Sequence, residues 1–265
     1  MRSALLVVAA ALVAVLLGVL PARGEEETVN VREKVLREVR DLLESADTYA
    51  AAEHVQEGVE PAVAAQRYEH VVMDLYGKAK DLPGCLALGR SGVAYCLTMA
   101  QRSGDAETGA GLRGAAQRLA FNLASFTWTG WDEAGIAIGP AEQAAGLDFA
   151  RIDLRLVQEL GYPPQKVATA HWIVGAQLMG VGRLDEAAAA FARSRDVARE
   201  AGNAEGEWLA EGYAGIVAVL ASPDDPAAGR ARVDAAAARL NEIGTDDSRF
   251  YASQLGDVLA VFTRR

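Results

Sequence analysis

An all-α fold is predicted by three features of this 265-residue sequence. Apolar residues recur at intervals of three and four along most of the chain, as they do on the buried face of an amphipathic helix. No stretch alternates polar and apolar residues for long enough to predict a β-strand. Alanine is abundant while aromatic residues make up only 6% of the chain, a composition that suits close helix–helix packing better than a sheet.

The clearest pair of helices is predicted in Ala170–Gly202. The first helix ends near Met179, and Gly182 can adopt the backbone angles that a tight turn needs. Asp185 and Glu186 follow in the first turn of the second helix, where the positive end of the helix dipole favours carboxylates. One face of this second helix carries Ala187, Phe191, Ser194, Val197, Ala198 and Ala201. Small residues on the first helix then allow the two helices to approach closely.

This unit resembles the tetratricopeptide repeat (TPR), a helix–turn–helix of about 34 residues. The matching positions are Gly175, Leu178, Gly182, Ala187 and Phe191, with Ser194 where the family usually has alanine. Because one such unit cannot bury its apolar face alone, the resemblance implies further helical pairs on both sides. It implies a right-handed α-solenoid of about five helical hairpins. The concave face of such a solenoid, lined by the first helix of each hairpin, holds a peptide or a partner helix.

Helical patterns on both sides of this unit bring the predicted total to about ten helices. Asn30 and Glu33 resemble a capping box, and one helix is predicted to run from there to a point before Gly58. Pro61 and Pro83 each suit the first turn of a helix, while a glycine at position 77 is expected to end the helix that begins at Pro61. The other predicted helices cover about 111–126, 141–160, 208–220, 231–240 and 250–262. Residues 127–140 show no clear period, so we expect an irregular loop there.

The N-terminal residues resemble a secretory signal peptide. Arg2 precedes the apolar run Ala4–Leu20, and in Ala22-Arg23-Gly24 two small residues stand where a signal peptidase cuts. The sequence therefore predicts a signal peptide at 1–24, a TPR-like domain at 25–265, and an exported protein that is periplasmic or secreted. A retained N-terminal membrane anchor is the alternative, since about 17 apolar residues are near the lower limit for a membrane span.

Charge narrows the classes of partner. The formal net charge of the chain is −10 at pH 7. An acidic surface repels nucleic acid and anionic lipid, so neither is an expected partner. A protein or a peptide is therefore the class of partner that we expect.

Cys85 and Cys96 are the two cysteines of the chain. Both fall on one predicted helix, where eleven steps of about 1.5 Å separate them by about 16 Å. A disulfide needs Cα atoms within about 7 Å of each other. We therefore expect buried free thiols.

The segment with Trp128, Trp131, Asp132 and Glu133 is the most unusual local feature. Two tryptophans beside two carboxylates can form a recognition patch for a ligand or a partner. Alternatively, the two rings fold back and fill space between helical hairpins. A third interpretation is an α-helical hydrolase or lyase that acts on a glycan or cell-wall fragment, since tryptophan faces suit sugar rings and carboxylates can act as acid and base.

No catalytic or metal-binding motif accompanies these residues. The sequence contains no HExxH, no GxSxG and no phosphate-binding glycine loop. His54 and His70 each follow a glutamate, and His171 lies at the start of the repeat-like unit. A metal site needs three or four converging ligands, which this pattern does not predict. We expect no catalytic residue, no cofactor and no metal.

These observations lead to the hypothesis of an exported, non-enzymatic TPR-like scaffold for protein–protein interaction in a bacterial envelope. The glycan-directed enzyme is the alternative hypothesis, and a structural spacer whose loop only joins two halves is a third. The candidate partner-binding residues are Trp128, Trp131, Asp132, Glu133, His171, Val174, Gln177 and Leu178.

Overall fold

The computed structural model describes residues 29–264, and every regular element in this range is helical. The all-α prediction is thus confirmed for this part of the chain. The α-helices are α1 Val29–Glu44, α2 Thr48–Gln56, α3 Pro61–Asp74, α4 Leu82–Arg102, α5 Ala106–Phe126, α6 Pro140–Glu159, α7 Pro164–Gly180, α8 Leu184–Glu200, α9 Ala204–Ala221, α10 Ala227–Ile243 and α11 Asp246–Thr263. A π-helix at Leu75–Ala79 continues α3, and a 3-10 turn lies at Thr129–Trp131. The predicted signal peptide at 1–24 lies outside the described residues.

Contacts divide these helices into two compact units. Unit 1 holds the described residues up to Phe126 together with Gly135–Ala137, and so contains α1–α5. Unit 2 holds Thr127–Ala134 and the described residues from Ile138 onward, and so contains α6–α11. Within each unit, helices that follow one another in sequence pack against one another. Between residues 29 and 264, no helix has both the length and the apolar character that crossing a membrane requires.

The first two helices correct the prediction of one long helix beginning at Asn30. The chain leaves α1 because Ala46 adopts left-handed backbone angles, with φ +62°. Asp47 then caps α2 by accepting a hydrogen bond from the Ala50 N–H at 2.8 Å. Left-handed residues at helix ends are usually glycine, so an alanine at this position gave no stop signal. Asn30 lies inside α1, so the predicted capping box was wrong.

Helices α3 and α4 begin as their prolines predict. Pro61 is the first residue of α3, and Pro83 lies in the first turn of α4, positions where the missing proline N–H has no helical partner to lose. The predicted stop at Gly77 was wrong, because the π-helix carries the chain past it to Lys80, where φ is +55°. Asp81 caps α4, its carboxylate accepting a backbone N–H of the first turn at 3.0 Å.

Cys85 and Cys96 are free and buried in α4, which confirms the prediction. The Cys85 thiol lies 3.6 Å from the Val72 carbonyl oxygen of α3. Burial raises the pKa of Cys96 to about 12 and also raises the pKa of Cys85. Thiols that stay protonated at neutral pH are poor nucleophiles, so both cysteines act as core residues.

Helices α7 and α8 form an antiparallel hairpin where the sequence predicts two packed helices. Ala168, near the start of α7, packs against Val197, near the end of α8. Farther along α7, Gly175 lies directly under the ring of Phe191. The chain reverses at Gly182, whose φ of +76° glycine adopts without steric cost.

Ser194 has a structural role at a position where the TPR family usually has alanine. Its Oγ–H donates a hydrogen bond of 2.8 Å to the Ala168 carbonyl oxygen, so it ties α8 to α7 inside the core. The rest of the predicted α8 face is also buried, namely Ala187, Phe191, Val197 and Ala198. Ala201 lies just beyond the end of α8 and is partly exposed.

Helix α9 is the central helix of unit 2, in contact with α7, α8, α10 and α11. Helices α9 and α10 approach closely, as shown at Gly215, where a Cβ would lie 3.2 Å from the Gly229 carbonyl oxygen. The approach of α9 to α11 is fixed by a buried hydrogen bond of 2.7 Å that Gln254 donates to the Tyr213 hydroxyl.

Four helices, α5, α9, α10 and α11, begin about one turn before their predicted starts. The predictions began at the first periodic apolar residue, whereas the caps lie upstream of it. Asn203 caps α9 by accepting the Gly206 N–H, and Thr245 caps α11 by accepting the Ser248 N–H, both at 3.0 Å. Side-chain caps of this kind satisfy N–H groups that have no partner inside the helix.

Replacing Gly175 with alanine is expected to destabilise unit 2 by about 1–3 kcal/mol. The added Cβ would lie 2.8–3.0 Å from atoms of the buried Phe191 ring, so the two helices would have to separate. Gly256→Ala in α11 is the matched control, because its Cβ would meet nothing within 4 Å and alanine favours the helix. Urea unfolding followed by circular dichroism measures both variants. Equal free energies of unfolding would contradict the close approach of α7 and α8.

Candidate functional site

The predicted irregular loop at 127–140 contains an ordered turn of unit 2. Its 3-10 segment Thr129–Trp131 contacts α7 and α11, and α6 begins at Pro140. The bounds of the loop therefore agree with the prediction. Residues 128–133 are called the tryptophan turn below.

Trp128 is the buried centre of the tryptophan turn. Its side chain is 0% exposed, and its Nε1–H donates a hydrogen bond of 3.0 Å to the Ala176 carbonyl oxygen of α7. The centroid of its ring lies 4.7 Å from that of Trp131, 5.9 Å from Trp172 and 5.8 Å from Tyr213. These are the edge-to-face and tilted geometries that aromatic pairs favour. Trp128 thus fills the core of unit 2 and offers no surface to a partner.

The other predicted binding residues differ in burial. Gln177 and Leu178 are 1% and 5% exposed, so they face the interior and not a partner. His171 and Val174 of α7 are partly exposed, and Trp131 lies partly exposed at the edge of the aromatic cluster. Burial, with a smaller contribution from a nearby arginine, lowers the pKa of His171. Its imidazole is therefore neutral at pH 7.

Asp132 lies at the surface of the tryptophan turn. It is exposed, its φ is +47°, and its Oδ2 lies 3.8 Å from Arg264 Nη2 just after α11. Glu133, the next residue, is partly exposed. A glycan-cleaving enzyme needs a carboxylate that faces a second carboxylate across a substrate pocket. A surface position for Asp132 does not supply that arrangement, so it gives the enzyme interpretation no support.

The histidines do not assemble a metal site within the described residues, where no group of three or more His, Cys, Asp or Glu is placed to hold a metal ion. His54 Nε2 lies 2.9 Å from Glu38 Oε2, and its Nδ1 lies 3.8 Å from Glu57 Oε2. The contact with Glu38 joins α1 and α2, and the contact with Glu57 lies at the end of α2. His70 lies partly exposed in α3.

A groove that the sequence did not reveal lies between α8, α9 and α10 of unit 2. It encloses about 280 Å³, and Asp185 and Arg232 are the charged residues of its lining. The apolar lining consists of Leu184, Ala188, Ala192, Ala214, Val217, Ala218 and Ala221. The feature of the sequence that corresponds to this groove is the spacing of these alanines, which recur every three or four residues on α8 and on α9. Such a stripe also forms a packed seam, so spacing alone does not show whether a neighbour covers it. This surface is called the alanine groove.

Ion pairs continue the alanine groove along α9. Glu211 accepts hydrogen bonds from Arg232 Nη2 at 3.0 Å and from Arg195 Nη1 at 3.2 Å, and so links α8, α9 and α10. One turn earlier, Glu207 accepts a hydrogen bond of 2.7 Å from Arg199 Nε. The bonds from Arg232 and Arg195 lower the pKa of Glu211. An apolar floor with a charged end is typical of protein docking surfaces.

In comparisons with known proteins, no protein-family model matches the chain and no curated protein matches it. Evidence on function therefore comes from the fold and the site.

Replacing Trp128 with alanine is expected to destabilise the protein by about 3–5 kcal/mol, the usual cost of removing a buried aromatic side chain. Trp131→Ala is the matched control in the same turn, and it should reduce the stability by less because Trp131 is partly exposed. Thermal unfolding followed by far-ultraviolet circular dichroism compares the two. A Trp128→Ala protein that melts with the wild type would show that the ring is not part of the core.

Replacing Glu211 with glutamine is expected to reduce stability in a pH-dependent way. The folded-state pKa of Glu211 is lowered, so its stabilisation is complete above the unfolded value of about 4.3 and is lost as pH falls through the folded value. The difference between wild type and variant should therefore be largest near neutral pH and should shrink below about pH 4. Urea unfolding at several pH values measures it, with the exposed Glu242→Gln as control. A difference that stays constant with pH would contradict the role of the ionised carboxylate.

Proposed function

We propose that this chain is an exported, non-enzymatic helical-repeat protein, similar to TPR proteins, that acts as a scaffold for protein–protein interaction in a bacterial envelope. The observation that carries the proposal is the packing order in unit 2. There α9 contacts both α7 and α11, while α8 and α10 pack between these helices in sequence order. Such an order is expected of stacked helical hairpins, in which each unit contacts its neighbours.

The directions of α9 and α11 support the same arrangement. Thr245, at the start of α11, donates a hydrogen bond to Glu205, at the start of α9. Farther along both helices, Gln254 of α11 bonds to Tyr213 of α9. The two helices therefore run in the same direction, as the first helices of successive hairpins do in a solenoid.

An internal repeat also supports the proposal. Gly175 of α7 and Gly215 of α9 stand about 40 residues apart, whereas the TPR period is about 34. Each glycine lies against an apolar side chain of the next helix, Phe191 for the first and Val233 for the second. The period is longer because α7–α10 have 17 or 18 residues each. We therefore propose a TPR-like solenoid with lengthened helices, in which unit 1 contributes the remaining members of about five hairpins.

The alanine groove is the docking surface that we propose for unit 2. Its volume of about 280 Å³ accommodates a few partner side chains, and apolar burial there contributes about 25 cal/mol per Å². The accessible members of the predicted binding residues are Trp131, Asp132, Glu133, His171 and Val174. The export part of the proposal rests on Arg2 and the apolar run Ala4–Leu20.

Replacing Ala218 with arginine is expected to abolish partner capture without changing the melting temperature. Ala218 lines the alanine groove and is partly exposed, so a long charged side chain can block the groove without entering the core. Wild-type and variant chains would be cross-linked in a bacterial envelope extract, and the captured proteins compared by mass spectrometry. Ala238→Arg, at an exposed position of α10 outside the groove lining, is the matched control.

Two outcomes of this experiment would contradict the proposal. Capture of the same proteins by the wild type and by Ala218→Arg would remove the groove as the docking surface. Failure of cross-linking to recover any specific partner would remove the scaffold function. The same experiment tests the export part of the proposal. If residues 1–24 are removed, the chain recovered from the envelope extract begins at Glu25.

A further inference from the structure

Unit 1 contains an acidic, aromatic pocket that neither the repeat-like hairpin nor the alanine groove explains. It lies between α1 and α2 and encloses about 800 Å³, within the range of roughly 300–1,000 Å³ typical of ligand pockets. Its lining includes Leu42, Tyr49, Ala50, Glu53, Gln56 and Glu57. This site is called the Tyr49 pocket.

Tyr49 forms an exposed aromatic wall of the pocket. Its side chain is 74% exposed, the largest value among the large apolar side chains exposed in the described part of the chain. Its hydroxyl donates a hydrogen bond to Glu53, which raises the pKa of Tyr49. The ring thus lies near a carboxylate, and most of its surface stays open to solvent.

His54 is the one basic side chain in the lining of the pocket, beside its two carboxylates. Glu53 and Glu57 are both exposed, and the lining contains neither lysine nor arginine. His54 lies 3.8 Å from Glu57 through Nδ1, while its Nε2 faces Glu38. The net charge of −10 on the whole chain adds a longer-range attraction for cations.

From these contacts we propose that the Tyr49 pocket binds an arginine side chain in a basic segment of a partner protein. The guanidinium stacks on the Tyr49 ring and donates hydrogen bonds to Glu53 and Glu57. Its methylene groups pack on Leu42 and Ala50. A lysine would match the charge but not the planar stacking, so arginine is the better ligand.

Arg23, in the N-terminal segment of the chain itself, is the competing occupant of this pocket. Three glutamates follow it at positions 25–27, and Glu53 and Glu57 would repel them. The proposal adds a partner class to the scaffold function and rests on unit 1. It can therefore fail while the alanine groove of unit 2 stands, and the reverse also holds.

A fluorescein-labelled peptide with the sequence Arg-Leu-Ala-Arg tests the proposal, with Gln-Leu-Ala-Gln as the neutral probe. Fluorescence anisotropy with the full chain is expected to show tighter binding of the arginine peptide, weakening as salt is added. Tyr49→Ala is expected to lower the affinity roughly fivefold, through loss of the cation–π contact. The double variant Glu53→Gln with Glu57→Gln is expected to lower it roughly tenfold. Glu200→Gln, at an exposed position of α8, should leave it unchanged.

Equal affinity for the two peptides would overturn the proposal, as would unchanged affinity in both Tyr49→Ala and the double glutamine variant. A chain lacking residues 1–24 is expected to bind the arginine peptide as the full chain does. Binding that appears only in the shortened chain would identify the N-terminal segment as the occupant and would also overturn the proposal.

Discussion

The close approach of neighbouring helices is the constraint on which unit 2 depends. At Gly175 the ring of Phe191 occupies the space that a Cβ would need, and Gly215 gives α10 the same access to α9. Helices at this separation exclude water from seams of small residues and gain many short dispersion contacts. Trp128, the largest fully buried side chain in the described chain, then fills space that small residues leave open. The core of unit 2 also holds fully buried aliphatic side chains, among them Ile173 and Ile216.

The same small residues leave an apolar surface open wherever a neighbouring helix does not cover them. On α9, Glu207 and Glu211 meet arginines of α8 and α10. Farther along this helix, Ala214 and Ala218 line an open groove. Alanine therefore serves packing and, in the scaffold that we propose, docking, and the difference lies in whether the flanking helices close over it. Ion pairs at one end link α8 and α10 through Glu211, so the groove is preformed. A preformed surface loses less entropy on binding.

Local chemistry explains which parts of this fold were predictable from the sequence. The α7–α8 hairpin, the loop bounds and the helix starts at Pro61 and Pro83 follow from periodicity and turn residues. The break at Ala46 and the stop at Lys80 were missed because both residues adopt left-handed angles that normally favour glycine. The alanine groove was missed because it depends on the distance between α8 and α10, two helices that are not consecutive. Gln177 was assigned to a partner face by family resemblance, and its burial depends on packing that no local pattern contains.

Burial of Trp128 bears directly on which face of the proposed solenoid is open to a partner. The TPR resemblance implies binding along the first helices of the hairpins, here α7, α9 and α11. In this chain the tryptophan turn contacts α7 and α11, and the Trp128 ring packs against Tyr213 of α9. A partner that bound where the Trp128 ring packs would have to displace this buried side chain, at a cost of several kcal/mol in lost burial. The alanine groove needs no such displacement. The docking surface that we propose therefore lies between α8 and α10, where an apolar floor is already open.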